Sequence, residues 1–102
     1  IDVIFDRAAL VALDPTSRQR YVDGLHSLLR PGGHILLIAF AYDQSRIAGP
    51  PWSIDAPTIE QLFGERFAIE TLAVRAEEGN PRFQAAGVPE MEERCCWLTR
   101  KD

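Results

Sequence analysis

Cysteine is scarce: the 102 residues contain two, and they are neighbours, Cys95 and Cys96. On a strand, adjacent side chains point to opposite faces, so a bridge between them needs strained geometry. A disulfide-stapled miniprotein is therefore excluded. With no histidine nearby, the pair does not build a zinc site. Two small apolar side chains in a reducing, cytoplasmic compartment fit this usage. Basic charge is in deficit, with 11 Lys and Arg against 15 Asp and Glu, a net charge of −4. The basic footprint of a nucleic-acid binder is missing. Long apolar runs are missing too. The longest, Ile35 to Ala41, has strand length, far short of the roughly 18 residues of a membrane span.

The rest of the composition is ordinary for a globular domain: 46% hydrophobic, 25% charged and 9% aromatic. It fits neither a disordered tail nor a collagenous repeat. A chain of this length buries about 65% of its extended surface, enough for one core. The first residue is Ile1 rather than Met, inside an apolar β-branched run. It reads as a cut, and residues 1–102 as a single partial domain.

Ile1 to Phe5 reads as a buried strand. Ala8 to Leu13 reads as a short helical turn. Asp14-Pro15 carries a helix start, with Asp as cap and Pro at the first position. Tyr21, Val22, Leu25, Leu28 and Leu29 then keep helical spacing until Pro31-Gly32-Gly33. His34 to Tyr42 is continuously apolar, the pattern of a strand covered on both faces. After a loop, Asp55 or Ala56 and Pro57 open a helix that Gly64 closes. Phe67 to Ala76 and Met91 to Arg100 read as strands around a polar loop. The order is β-α-β-α-β-β. Helical crossovers make three strands parallel, and the last returns antiparallel. The fold class is α/β.

In an open α/β sheet, ligands bind outside the carboxyl ends of the strands. Three loops meet that rim: Asp6 to Asp14, Asp43 to Asp55 and Glu77 to Glu90. Asp6-Arg7 follows a buried strand and reads either as an ion pair or helix cap, or as a charged dyad facing a ligand. Arg7 is the stronger half, because its guanidinium offers several donors and stays charged. Gly49-Pro50-Pro51-Trp52 sets a rigid aromatic wall, or a stiff surface loop. Arg82 lies in the third loop beside Phe83, as a second candidate cation or a solvated one. His26 and His34 have no partner at a catalytic spacing and read as structural. No Gly-x-Ser-x-Gly elbow occurs. Gly32-Gly33 precedes a strand, so it does not place a helix N-terminus against a phosphate. The residues supply no catalytic nucleophile and no metal-ligand cluster.

Asp2 to Pro15 (DVIFDRAALVALDP) strongly resembles the fourth-strand motif of the thiopurine S-methyltransferase family. The likeness continues through Arg18 to Tyr21, Tyr42-Asp43, Gly49 to Ile54, Ile59 to Gly64 and Trp97 to Lys101. It covers nearly the whole chain. The resemblance implies the C-terminal half of a Rossmann-like class I methyltransferase sheet. It implies S-adenosylmethionine as methyl donor and a thiol or similar soft nucleophile as small-molecule acceptor. Residue by residue, it implies that Arg7 and Arg82 face an anionic acceptor and that Pro50, Pro51 and Trp52 form a pocket wall. Trp52 stands where the family often has Phe. Asp6 organises the loop beside the cofactor, and Arg7 also reaches it. The family's glycine-rich loop and ribose-binding acid are not matched here.

Two readings stand. In the first, the chain is the acceptor-side part of a methyltransferase and is inactive by itself. In the second, it is a non-catalytic Rossmann-like structural or interaction module. In either, the first strand has no neighbour on one side, so it is expected to pair with a second copy or to fray.

Overall fold

The computed structural model describes residues 1–7, 9–47, 52–79 and 81–101. Its elements run β1 (Val3–Asp6), α1 (Ala9–Ala12), α2 (Arg18–Leu28), β2 (His34–Ala41), α3 (Ala56–Phe63), β3 (Phe67–Glu78), α4 (Pro81–Ala85) and β4 (Glu90–Arg100). The strands form one sheet in the order β1-β2-β4-β3. β1 pairs parallel to β2, and β4 pairs antiparallel to both β2 and β3. β1, β2 and β3 therefore point one way, as the two helical crossovers require. Their carboxyl ends form one rim.

The core sits on one face of this sheet. Leu10 and Val11 of α1, Val22 and Leu25 of α2, and Ile59 and Phe63 of α3 pack against Ile35, Leu37 and Ala39 of β2. Cys96 and Leu98 of β4 share that face through their register with Leu37 and Ile35. The expectation of a β2 strand covered on both faces holds for one face only. Leu36 and Ile38 point the other way and are half-buried. The continuous apolar run is equally compatible with either outcome, because it carries no alternation.

The long helix begins later than the Asp14-Pro15 signal suggests. Asp14 Oδ1 accepts the amides of Thr16 and Ser17 and the Thr16 hydroxyl, at 3.0, 3.1 and 2.7 Å. The Ser17 amide also reaches the Asp14 carbonyl at 3.1 Å, a three-residue turn. Asp14 thus caps a turn, and α2 starts at Arg18 with Ser17 as its cap residue. The α3 start matches its signal. Asp55 is the cap, its carboxylate accepting the Thr58 amide at 3.0 Å, with Pro57 in the first turn. After α2 the chain turns at Gly32, which has φ +78°. At Gly33 a side chain would meet the Arg30 and Asp2 carbonyl oxygens at 2.9 and 3.1 Å. That close backbone approach ties the start of β1 to the start of β2.

β3 runs on through Glu77 and Glu78, and β4 begins at Glu90, just beyond the expected strands; Arg75 and Glu93 join the two within the expected spans at 2.6 Å. A register shift between Thr71 and Ala73 bends this ladder.

Candidate functional site

The rim is built from loops that hold one another by backbone and ring contacts. Asp6 ends β1 and is 3% exposed. An isolated carboxylate so deep would be costly, and its oxygens are accordingly occupied. Oδ1 accepts the amides of Ala9 and Leu10 at 3.1 and 3.3 Å, capping α1. Oδ2 accepts the Tyr21 hydroxyl at 2.8 Å. Burial first, and then Asp6, push the Tyr21 phenol far above its ordinary value, so it remains a donor.

The loop after β2 is braced on both sides. The Tyr42 amide donates to Ser53 Oγ at 3.0 Å, and the Ser53 amide donates to Gln44 Oε1 at 2.8 Å. Gln44 Nε2 donates to the Tyr42 hydroxyl and the Ile47 carbonyl, both at 2.9 Å. This loop reaches the first one directly, since the Trp52 amide donates to the Val11 carbonyl at 2.6 Å. It reaches the third through aromatic rings: Tyr42 and Phe83 meet edge to face at 5.0 Å.

The candidate residues take unequal places here. Asp6 is a buried organiser of the corner, with its carboxylate engaged within the chain. Arg7, the next residue, is exposed. Among the described residues its guanidinium has no hydrogen-bond or ion-pair partner, so Asp6 and Arg7 do not pair with each other. Trp52 is half-buried on the second loop. Arg82 lies on α4, its guanidinium carbon 5.5 Å from the Phe83 ring centroid. Pro50 and Pro51 lie outside the described residues. Both histidines have structural contacts: His26 meets Phe67 edge to face, and His34 stacks on Trp97 while contacting Thr99 Oγ1 at 3.0 Å. Two open depressions lie elsewhere. One, of about 400 Å³, is at the outer β3–β4 ladder beside Val74 and Met91; the other, of about 230 Å³, is between α3 and β3–β4 beside Ile59 and Arg94. Neither is lined by Arg7, Trp52 or Arg82.

Tyr21 is the rim residue that its spacing did not reveal. Its place in the helical stripe marks it as core, and nothing local links it to Asp6, fifteen residues away. The expected burial of the first strand does not hold, since Ile1, Val3 and Phe5 are exposed and only Asp6 at its end is buried. The available signal was indirect, because a buried acid needs donors and a hydroxyl on the packed helix face is one.

The profile of the thiopurine S-methyltransferase (TPMT) family matches residues 1–101. The chain belongs to the thiopurine S-methyltransferase family. It is 43% identical over 96 residues to the thiopurine S-methyltransferase of Nitrosospira multiformis, covering 91% of this chain and 43% of that protein. It is 42% identical over 101 residues to that of Vibrio campbellii, covering 98% and 46%. The chain thus spans less than half the length of these curated relatives. Among solved structures, a SAM-dependent methyltransferase of Methanosarcina mazei superposes with a TM-score of 0.70 at 16% identity, over 98% of this chain and 59% of that one. An N-methyltransferase of Bradyrhizobium japonicum, solved with S-adenosyl-L-homocysteine, gives 0.61 at 20% identity, over 99% and 46%. At such identities these two establish the fold: a Rossmann-like class I methyltransferase sheet. No helix among the described residues is long and apolar enough to cross a membrane.

Proposed function

We propose that this chain is the acceptor side of an S-adenosylmethionine-dependent methyltransferase that transfers a methyl group to a thiol or similar soft nucleophile. One observation carries the reading. In a chain of this family, Arg7 stands exposed and unpaired among the described residues at the rim where the loops after β1 and β2 are bonded together.

When bound, the cofactor supplies an already reactive sulfonium methyl group. What this chain adds is position and charge. Arg7 attracts an anionic acceptor and favours thiolate over thiol, because nearby positive charge lowers a thiol pKa. Arg82 adds a second cation on the third loop. Trp52 offers one wall for a flat ligand. Asp6 contributes by shaping the corner, since its oxygens are already engaged by Ala9, Leu10 and Tyr21.

The residues fit only part of the cofactor. No glycine-rich turn follows a strand in this sequence, and the acid at the end of β1 is not available to a ribose. We therefore assign the nucleoside-holding groups to polypeptide outside these 102 residues and expect the chain to be inactive by itself. Two reduced thiols suit a cytoplasmic protein. The second reading, a non-catalytic interaction module, is favoured by one feature: the exposed apolar edge at Ile1, Val3 and Phe5.

Titration of the ¹⁵N-labelled chain with thiophenol tests the acceptor assignment. Saturable shifts at the Arg7 and Trp52 amides are expected. Saturable shifts confined to other regions, or none, would overturn it.

A further inference from the structure

A connected series of hydrogen bonds leads from α2 to the two loops that carry Arg7 and Trp52. The Tyr21 hydroxyl donates to Asp6 Oδ2 at 2.8 Å. Asp6 Oδ1 caps α1 through the Ala9 and Leu10 amides. The Val11 carbonyl of α1 then accepts the Trp52 amide at 2.6 Å. We propose that Tyr21 is a positioning residue of the acceptor side, setting the placement of both Arg7 and Trp52 through Asp6 and α1. Its relevance to methyl transfer rests on the function proposed above; the mechanical coupling does not.

α1 is held by the burial of Leu10 and Val11 on its apolar face and by Asp6 at its amide end. The helix has four residues, too few to be stable without outside contacts. Its amide ends are held by Asp6. Asp6 itself is almost fully buried, and Tyr21 is the partner of its second oxygen. Without the phenol hydroxyl, that oxygen has no donor among the described residues, in a site where an unsatisfied charged group is costly. The carboxylate must then turn toward water or toward other amides. Either movement shifts the corner at Arg7 and loosens α1. Because Trp52 is bonded to the Val11 carbonyl rather than to a side chain, it follows the backbone of α1.

Tyr21→Phe keeps the ring, which packs against the core, and removes only the donor. In ¹⁵N spectra of the chain, the variant is expected to shift the amides of Arg7, Ala9, Leu10 and Trp52 together, leaving those of Ala68 and Thr99 in place. Asp6→Asn is expected to move the same set. The double variant should add little to the larger single effect, as expected for residues acting as a unit. Shifts confined to Arg7 through Leu10, with Trp52 unmoved, would overturn the proposal. If Tyr21→Phe does not fold, hydrogen exchange of the unaltered chain decides. A common opening free energy for Leu10 and Trp52 supports the coupling, and independent exchange of Trp52 overturns it.

A second readout reaches function. Thiophenol affinity should fall about tenfold in Tyr21→Phe, the scale of one lost hydrogen bond. A purely structural role would lower thermal stability and leave the affinity of the folded variant unchanged. If the unaltered chain does not bind thiophenol, the acceptor assignment fails, while the shift pattern still decides the coupling.

Discussion

The Trp52 amide donates to the Val11 carbonyl at 2.6 Å, joining the loop after β2 to the helix that follows β1. The contact is between backbones, so it does not depend on either side chain. It makes the rim of this sheet one connected surface. Arg7 and Trp52 are held on opposite sides of that junction.

Arg7 is exposed, and no ion pair or side-chain hydrogen bond among the described residues uses its charge. Arg7→Ala should change stability by less than about 0.5 kcal/mol in urea unfolding, as is usual at such surface sites. The same change should weaken thiophenol binding about tenfold or more, the scale of a hydrogen bond to a charged group. Arg7→Lys should recover only part of this, because an ammonium lacks the planar fork. A large loss of stability in Arg7→Ala would show that the arginine is structural.

Asp55 caps α3 by accepting the Thr58 hydroxyl at 2.6 Å and the Thr58 amide at 3.0 Å. The Thr58 hydroxyl bond, then the Thr58 amide, hold its carboxyl below the ordinary value. The folded state therefore favours the charged form. That contribution is complete above the unfolded carboxyl value of about 3.9 and is lost as pH falls through the lower folded value. Asp55→Ala should cost about 1 kcal/mol near neutral pH. The gap between variant and parent should narrow when urea unfolding is repeated at about pH 3. A gap that widens in acid would contradict the cap assignment.

Val3 and Phe5 lie on the edge strand β1 and are 51% and 63% exposed. An open apolar edge presents unpaired backbone groups to other chains. Sedimentation should show concentration-dependent association of the chain with a second copy. Val3→Lys and Phe5→Lys should each shift it toward monomer. A concentration-independent monomer with a well-protected β1 would contradict this expectation.

The two cysteines should differ sharply. Cys96 is 1% exposed, and burial raises its thiol pKa, opposed in part by the Thr71 bond and Arg94. Cys95, on the opposite face, is half-buried. Since thiolate and access set the rate, a disulfide reagent should modify one thiol promptly in the folded chain. The second should react about a hundredfold more slowly, through opening of the core. Equal rates would contradict the assigned strand register.

Much of this architecture was legible because its signals are local. Asp55 and Pro57 mark the start of α3, and the run from His34 marks β2. The alternation of strands and helices fixes the parallel set. Asp14-Pro15 misled because an acid capping a turn and an acid capping a helix present the same residues. What decides between them is whether the following amides bond three or four residues back. The one-sided burial of β2 was hidden by its uniformly apolar residues. In the site, Arg7 and Trp52 could be found from their places after strands. The partnership of Tyr21 with Asp6 could not, because it depends on how α2 lies across the end of β1.

The most direct test of the functional account is methyl transfer by a joined polypeptide. The part of the Nitrosospira multiformis relative that precedes its match to this chain would be placed before Ile1. Radiolabelled S-adenosylmethionine would be the donor and thiophenol the acceptor. The account predicts a methylated thiol, with turnover strongly reduced by Arg7→Ala. A joined protein that folds and binds S-adenosylhomocysteine yet leaves the thiol unmethylated would contradict it.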